Sequence, residues 1–197
     1  METERPKVGR KRSEAARKAI LRASLELLRE RGYGKVTVDA IAERAGVGKQ
    51  TMYRWWRSKA DVVLEALTEE ARVAIVDRDS NDLESDLGAF LKATFRLLNP
   101  PRALGPVMSG LMAEAQLDPA FGARFGDYIA WRRKSLGAIF QRAAERNELS
   151  ADADIELLVD MVFGAMWYRL LLDRPISPKF ATSLARTATR AARAQKS

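Results

Sequence analysis

The residues best suited to chemistry lie in one short stretch, residues 45–56, which reads AGVGKQTMYRWW. Lysine, arginine, threonine and tyrosine side chains close to two glycines are well suited to holding phosphate groups. The phosphates would belong either to a nucleotide, held by a glycine-rich loop, or to a duplex, held by a helix-turn-helix motif. These alternatives require different spacings and different flanking elements.

A nucleotide-binding loop requires Gly, any four residues and then Gly-Lys-Ser/Thr, directly after a β-strand. Here Gln50 follows Gly48-Lys49, Thr51 comes one place late, and Glu43 stands where the first glycine belongs. The preceding segment has the pattern of a helix rather than a strand. We therefore favour the duplex over the nucleotide.

The helix-turn-helix alternative fits a twenty-residue frame from Val38 to Arg57. Gly46 falls at the turn between the two helices, where a positive φ is needed. A helical hairpin that merely packs is the competing interpretation. The positions that pack the helices together are apolar: Ile41, Ala45, Val47, Met52 and Trp55. The outward positions of the second helix are polar, with types that read guanine and adenine: Lys49, Gln50, Thr51, Tyr53 and Arg54.

The excess positive charge is confined to the first third of the chain. Residues 1–60 hold 16 Lys and Arg against 7 Asp and Glu, whereas residues 61–197 hold 18 against 19. A small basic segment fits polyanion binding, because neutralising phosphates releases their counterions. This distribution favours a DNA-binding motif over a simple hairpin, and the rest of the chain must do something else.

Cysteine and histidine are both absent from the 197 residues. Their absence removes disulfides, the commonest metal ligands and the commonest general base. The acid pairs Glu69-Glu70 and Asp152/Asp154 form no catalytic dyad, because neighbours one or two positions apart do not share a helix face. We expect no enzyme, metal or cofactor. The N-terminus has no apolar signal segment and no run approaches the roughly 20 residues of a membrane span, so we expect a cytoplasmic protein.

The chain is predicted to be all-α, because no segment sustains the alternation of a strand. Gly32 is expected to end the first helix in a left-handed conformation. The expected N-terminal caps are Ser13, Thr37, Ser58 within a Ser58–Asp61 capping box, and Asp118 and Ser177, each of the last two followed by proline. Helices are predicted near 13–31, 37–45, 49–56, 58–76, 82–98, 102–116, 119–147, 153–172 and 178–194.

Four motifs with fixed spacing fall within residues 13–62: Gly32-Tyr33; Thr37-Val38-x-x-Ile41-Ala42-x-x-Ala45-Gly46-Val47; Thr51-Met52-Tyr53; and Ser58-Lys59-Ala60-Asp61. In these motifs the segment resembles the DNA-binding domain of the tetracycline-repressor (TetR/AcrR) family. The resemblance implies an N-terminal three-helix helix-turn-helix domain with a basic arm at 1–60, and a C-terminal helical bundle for effector binding and dimerisation at 61–197. It also implies a homodimeric repressor that a small hydrophobic effector releases from an inverted-repeat operator in double-stranded DNA. A constitutive DNA-binding protein with no effector is the alternative.

The outward face and the resemblance together predict the DNA contacts. Base edges in the major groove are assigned to Lys49, Gln50 and Arg54, and phosphates to Thr51, Tyr53, Trp55 and Lys59, with Thr37 as a further contact. Arg10, Lys11 and Arg12 form a basic arm that either follows the duplex or is a disordered tail in the free protein. By resemblance, Trp56 fills the small core and Trp55 faces the DNA backbone, whereas the twenty-residue frame would bury Trp55.

The helix predicted near 153–172 is apolar almost all round and must be covered on every face. The resemblance implies that a second copy covers it, through pairing of the last two helices. A basic stripe on the final helix, Arg186, Arg190 and Arg193, would also suit a membrane surface. We favour the dimer and no membrane contact, because the apolar face of that helix is mostly alanine.

An effector pocket is expected among the helices at 82–172. Aromatic and methionine side chains at helical spacing are usually plain core, but flexible methionines would suit an adaptable hydrophobic pocket. The candidates are Phe90, Phe95, Met108, Met112, Phe125, Tyr128, Trp131, Phe163 and Trp167.

Overall fold

The computed structural model describes residues 8–75, 78–99 and 104–193, with only the backbone described for residues 8–13. Within these ranges the chain forms nine α-helices and a 3-10 turn at Tyr33–Lys35, with no strand, so the all-α prediction is confirmed. The helices are α1 (Val8–Arg31), α2 (Val38–Ala45), α3 (Lys49–Tyr53), α4 (Lys59–Ala74), α5 (Leu83–Leu98), α6 (Gly105–Leu117), α7 (Pro119–Glu145), α8 (Ile155–Leu171) and α9 (Pro178–Ala192). The chain divides into two compact units between Glu69 and Glu70. The functional boundary expected near residue 60 stays a prediction.

The ends of the helices follow the local chemistry that the sequence predicts. The side chain of Thr37 accepts a hydrogen bond from the amide of Ala40 at 3.1 Å and so caps α2. Before α4, Ser58 Oγ accepts from the amide of Asp61 at 3.2 Å, and the Asp61 carboxylate accepts from the amide of Ser58 at 3.1 Å. This exchange completes the capping box. The predicted caps Asp118 on α7 and Ser177 on α9 are also confirmed.

The start of α1 and the end of α3 differ from the prediction. α1 begins at Val8, so Ser13 lies inside the helix and its prediction as the N-cap is wrong. The lysines, arginines and alanines around Ser13 are good helix formers, and nothing ends the helix there. α3 ends at Tyr53 rather than at residue 56. The amides of Trp55 and Trp56 both donate to the carbonyl of Met52, at 2.9 and 3.0 Å, which closes the helix in a tight turn.

The first unit is built around the contacts of α2 with α1 and with α3. Ile20 and Leu27 of α1, Ile41 of α2 and Met52 of α3 are fully buried. Arg44 on α2 also donates two hydrogen bonds to the Glu30 carboxylate on α1, each 2.8 Å long. Apolar packing and this bidentate pair hold α2 against α1 and provide the platform for α3.

In the second unit, α5 packs against α7 and α9, α6 packs against α7, and α8 packs against α7 and α9. Phe95 and Phe140 are among its largest fully buried side chains. Only part of the apolar surface of α8 is covered in this way. Its exposed large apolar residues are Leu157, Met161, Tyr168 and Leu171, followed by Leu172 after the helix end. Among the described helices, none combines the length and the apolar character needed to cross a bilayer.

Candidate nucleic-acid interface and ligand cavity

The turn between α2 and α3 fixes which face of α3 points outward. Gly46 ends α2 in the left-handed conformation, with φ 66° and ψ 34°, as predicted. The amide of Val47 then donates to the carbonyl of Ala42 at 3.0 Å. Since Met52 is buried beneath α3, the opposite face of the helix remains open to solvent.

The outward face of α3 carries the residues predicted to read DNA. Gln50, Tyr53 and Arg54 are exposed, and Thr51 is half-buried. Lys49 is also exposed, but its Nζ lies 2.7 Å from Oδ1 of Asp39 on α2. The hydrogen bond to Asp39 raises the pKa of Lys49. The ammonium therefore already has a counter-ion at the protein surface and would have to leave Asp39, or share it, to reach a base.

The two tryptophans after α3 have opposite environments. Trp56 is 5% exposed and its Nε1 donates to the Glu65 carboxylate at 2.6 Å, whereas Trp55 is 39% exposed. The arrangement implied by the family resemblance is therefore the one found. The twenty-residue frame, which would bury Trp55, is wrong because the tight turn at Met52 ends the helical periodicity before Trp55.

Glu65 belongs to a cluster that the sequence analysis missed. Arg17 on α1 donates through Nε to Glu65 at 2.7 Å and through Nη2 to Glu69 at 2.6 Å. Burial lowers the pKa of Arg17, but the hydrogen bonds to Glu69 and Glu65 outweigh it and leave the pKa raised. The i, i+4 spacing of the two glutamates shows that they share a face of α4, but nothing local identifies Arg17 as their partner. Through Glu65, the cluster ties α1 to Trp56 and α4.

Lys59 has a structural contact in addition to its predicted role. Its Nζ donates to the carbonyl of Tyr33 at 3.0 Å and lies 4.2 Å from the centre of the Tyr33 ring. An ammonium has three donors, so this contact leaves capacity for a phosphate. Thr37 is exposed, and its hydroxyl proton is still available because its oxygen is the acceptor in the cap. The DNA contacts of Lys59 and Thr37 stay predictions. So do those of Arg10 and Arg12, whose side chains lie outside the described residues.

Two of the predicted pocket residues, Phe163 and Trp167 of α8, line a cavity of about 310 Å³ together with Ile129, Arg132 and Gly164. Phe90 is buried and meets Phe163 edge to face, with ring centres 6.4 Å apart. Phe125, Tyr128 and Trp131 form a row of ring contacts along α7, and Met108 is buried while Met112 is half-buried. Phe95 lines a separate open groove of about 1090 Å³ near Lys92 and Arg96.

Comparison with known proteins decides the family. Residues 20–66 match the model of bacterial regulatory proteins, tetR family, and residues 77–188 match the tetracyclin repressor-like C-terminal domain. The chain belongs to the TetR family. It is therefore a DNA-binding transcriptional regulator, and the predicted family is confirmed.

Individual relatives agree with this assignment over most of their length. The uncharacterized HTH-type transcriptional regulator YdeS of Bacillus subtilis is 34% identical over 167 residues, which are 84% of this chain and 83% of YdeS. The DNA-binding transcriptional repressor TetR of Mycobacteroides abscessus is 29% identical over 175 residues, 86% and 89% of the two chains. The crystal structure of the TetR family transcription regulator SCO0332 matches with a TM-score of 0.77 at 29% identity, over 89% and 97% of the chains. These relatives are regulators rather than enzymes.

In this TetR-family chain, sequence reasoning missed the buried guanidinium of Arg132. Its Nη2 donates to Oγ1 of Thr94 on α5 at 2.9 Å, and the guanidinium lies 4.8 Å from the centre of the Phe90 ring. Burial lowers the pKa of Arg132, and burial also raises the pKa of the neighbouring Tyr128 phenol. A signal was present in the sequence, because Arg132 lies at the position between Ile129 and Leu136 that continues the apolar stripe of α7.

Proposed function

We propose that this TetR-family regulator acts as a homodimeric repressor. In each subunit α3 enters the major groove at one half of an inverted-repeat operator, and a small effector bound in the second unit releases the protein. The observation that carries the proposal is the open polar face of α3, presented by a buried α2–α3 core. A helix that only packed would have no reason to keep Gln50, Tyr53 and Arg54 outward.

The contacts with DNA divide into two groups. Gln50 is exposed in the first turn of α3, and Arg54 is exposed directly after its last residue. An amide suits adenine and a guanidinium suits guanine. Lys49 would join them by exchanging Asp39 for a base edge. Phosphate contacts would come from Thr37, Thr51, Tyr53, Trp55 and Lys59. The basic N-terminal arm with Arg10 and Arg12 would add further phosphate contacts.

Dimerisation through the last two helices is supported by the exposed apolar side of α8. Leu157, Met161 and Tyr168 follow one another at i, i+4 and i+11 and are 55%, 45% and 58% exposed. A row of large apolar side chains of this kind on one helix face marks an interaction surface. A second copy would cover it with the same residues, as two-fold symmetry requires. The cytoplasm, where its DNA would be, is the proposed location.

Selection of bound DNA from a random pool at moderate salt tests the proposal. We expect an inverted repeat whose two half-sites are separated by about one helical turn or a multiple of it. Enrichment of unrelated sequences would indicate an architectural DNA-binding protein. No enrichment at all would overturn the assignment of α3 to the major groove.

A matched pair of variants separates base reading from charge. Arg54→Ala should weaken operator binding and relax the base preference at one position of each half-site. Arg96→Ala removes the same charge from an exposed position on α5, outside the helix-turn-helix, and should leave both unchanged. Equal loss in the two variants would mean that Arg54 acts only through net charge.

Screening small molecules for release of the bound operator tests the effector. Release by a compound that binds the second unit supports the repressor. If no compound of a broad hydrophobic library releases the operator, the constitutive DNA-binding alternative is favoured.

A further inference from the structure

Arg132 occupies a position of α7 at which the helical pattern places an apolar residue. Its side chain is 4% exposed, and it lies on the inner stripe of α7 with Leu136 and Ile139. The rings of Phe90 and Trp131 lie 4.8 and 5.5 Å from its guanidinium carbon. Burying a charge costs free energy unless an opposite charge and hydrogen bonds compensate it.

The compensation within the chain is incomplete. A guanidinium has five N–H donors, and Thr94 is its one hydrogen-bonding partner in the described part of the chain. Burial lowers the pKa of Arg132 more than the neighbouring Tyr128 phenol raises it, and no carboxylate of those residues pairs with it. Although burial lowers the pKa of Arg132, arginine stays charged at neutral pH.

Among the described residues that line the cavity, one is an acid, and its carboxylate is already paired. Asp160 of α8 accepts a hydrogen bond from Arg133, and Arg133 also donates to Glu156 at 2.6 Å. Both acids pair with Arg133, and neither contacts the Arg132 guanidinium. Arg132 therefore has no carboxylate partner among the described residues.

Arg132 also lines the 310 Å³ cavity, whose other walls include Ile129, Phe163, Gly164 and Trp167. This volume is at the lower end of the range for small-molecule sites. The cavity thus combines one buried cation with apolar and aromatic walls. A ligand that matched both would carry one anionic group on an apolar body.

We propose that this cavity binds a small organic carboxylate, whose oxygens accept hydrogen bonds from Arg132 while its apolar part packs on Phe163 and Trp167. Planar carboxylate and guanidinium groups match in a paired geometry, and the apolar walls strengthen the interaction by excluding water. The proposal rests on the proposed function, because it gives the chemical class of the effector held by the second unit.

Isothermal titration calorimetry on the full-length protein, without DNA, tests the site. The probes are straight-chain acids from acetate to decanoate and 4-phenylbutyrate, each paired with its uncharged amide. We expect at least one acid to bind, and its amide to bind on the order of tenfold or more weakly, because a charge-assisted pair is lost. Equal binding of acid and amide, or no binding by any acid at millimolar concentration, overturns the proposal.

Two variants distinguish a ligand site from a purely structural arginine. Arg132→Met keeps the volume and removes the charge, so it should abolish acid binding while leaving the melting temperature of the free protein unchanged or higher. Lys134→Met changes an exposed residue of the same helix and should bind acids like the parent. Acid binding at full strength in a folded Arg132→Met or Arg132→Gln protein would show that Arg132 only supports the fold.

Operator binding by the same proteins keeps the two proposals apart. Acid binding without selection of any operator would overturn the proposed repressor function and support the carboxylate site. Selection of an operator without acid binding would support the repressor and overturn the carboxylate site.

Discussion

Replacing Gly46 by alanine tests whether the turn that presents α3 depends on backbone conformation alone. Gly46 has φ +66°, and a Cβ built on it would meet no atom within 4 Å. The substitution therefore introduces no clash, and its cost is that of holding an alanine in the left-handed region. That cost is about 1–2 kcal/mol, a five- to thirtyfold change in the folding equilibrium of the unit.

Gly48, two residues later, is the matched control. It also has open space around a built Cβ, but its φ is −73°, which any residue adopts. Gly48 is the N-cap of α3, where alanine is the poorer residue, but alanine also lowers the entropy of the unfolded chain. Because these effects oppose each other, we expect Gly48→Ala to change the free energy of unfolding by no more than about 0.5 kcal/mol. The difference between the two variants isolates the left-handed backbone from the loss of a glycine.

The assay is hydrogen exchange of the α2 and α3 amides, which reports local opening of this unit without requiring the whole chain to unfold in one step. Urea unfolding followed by tryptophan fluorescence, at one fixed protein concentration, gives a second measure. Faster exchange in Gly46→Ala but not in Gly48→Ala is expected. Equal protection in both variants, or equal loss, would refute the conclusion that the left-handed residue limits the stability of the turn.

Three further substitutions follow from the contacts described above. Asp39→Asn frees Lys49 and removes a negative charge beside the predicted DNA face, so operator binding should tighten. The slope of log K against log salt concentration should steepen by up to about 0.9 per subunit. Weaker binding would mean that Asp39 itself contacts the operator. Phe140→Ala opens a fully buried position in the second unit and should lower the free energy of unfolding by about 3–5 kcal/mol in urea titrations; a loss below about 1 kcal/mol would contradict its place in the core. Met161→Glu on the exposed side of α8 should yield monomers by light scattering, whereas Leu117→Glu, at an apolar residue 83% exposed on α6, should not; an unchanged dimer mass for Met161→Glu would exclude that surface.

The ends of the helices could be predicted because their chemistry is local. Thr37 acts on the amide three residues later, and Gly46 acts through its own backbone. The partner of each group is within a few residues, so the sequence identifies both. The same holds for the proline-containing starts of α7 and α9.

Contacts between distant segments could not be predicted in the same way. Arg17 and Glu65 are 48 positions apart, and Arg132 and Thr94 are 38 apart. Which charged residue of one helix meets which residue of another depends on how the helices cross. The interruption of the apolar stripe by Arg132 was visible in the sequence, but whether it faced water or the cavity was not.

Helical periodicity also failed where the helix stopped. The twenty-residue frame assumed that α3 continued through Trp55, and this assumption placed the wrong tryptophan in the core. The family resemblance placed Trp56 there, which agrees with its burial. Periodicity is informative only within the limits of the element that produces it.

The Asp39–Lys49 pair has a consequence for how such a protein would find its site in a genome. A lysine that already carries an internal counter-ion offers less attraction to random duplex, where no base edge rewards its release. Encounters with unrelated sequence would then be brief, and fewer molecules would be lost to the vast excess of competing sites. The aspartate would thus favour selectivity over affinity, because the protein would dissociate quickly from DNA that lacks its operator.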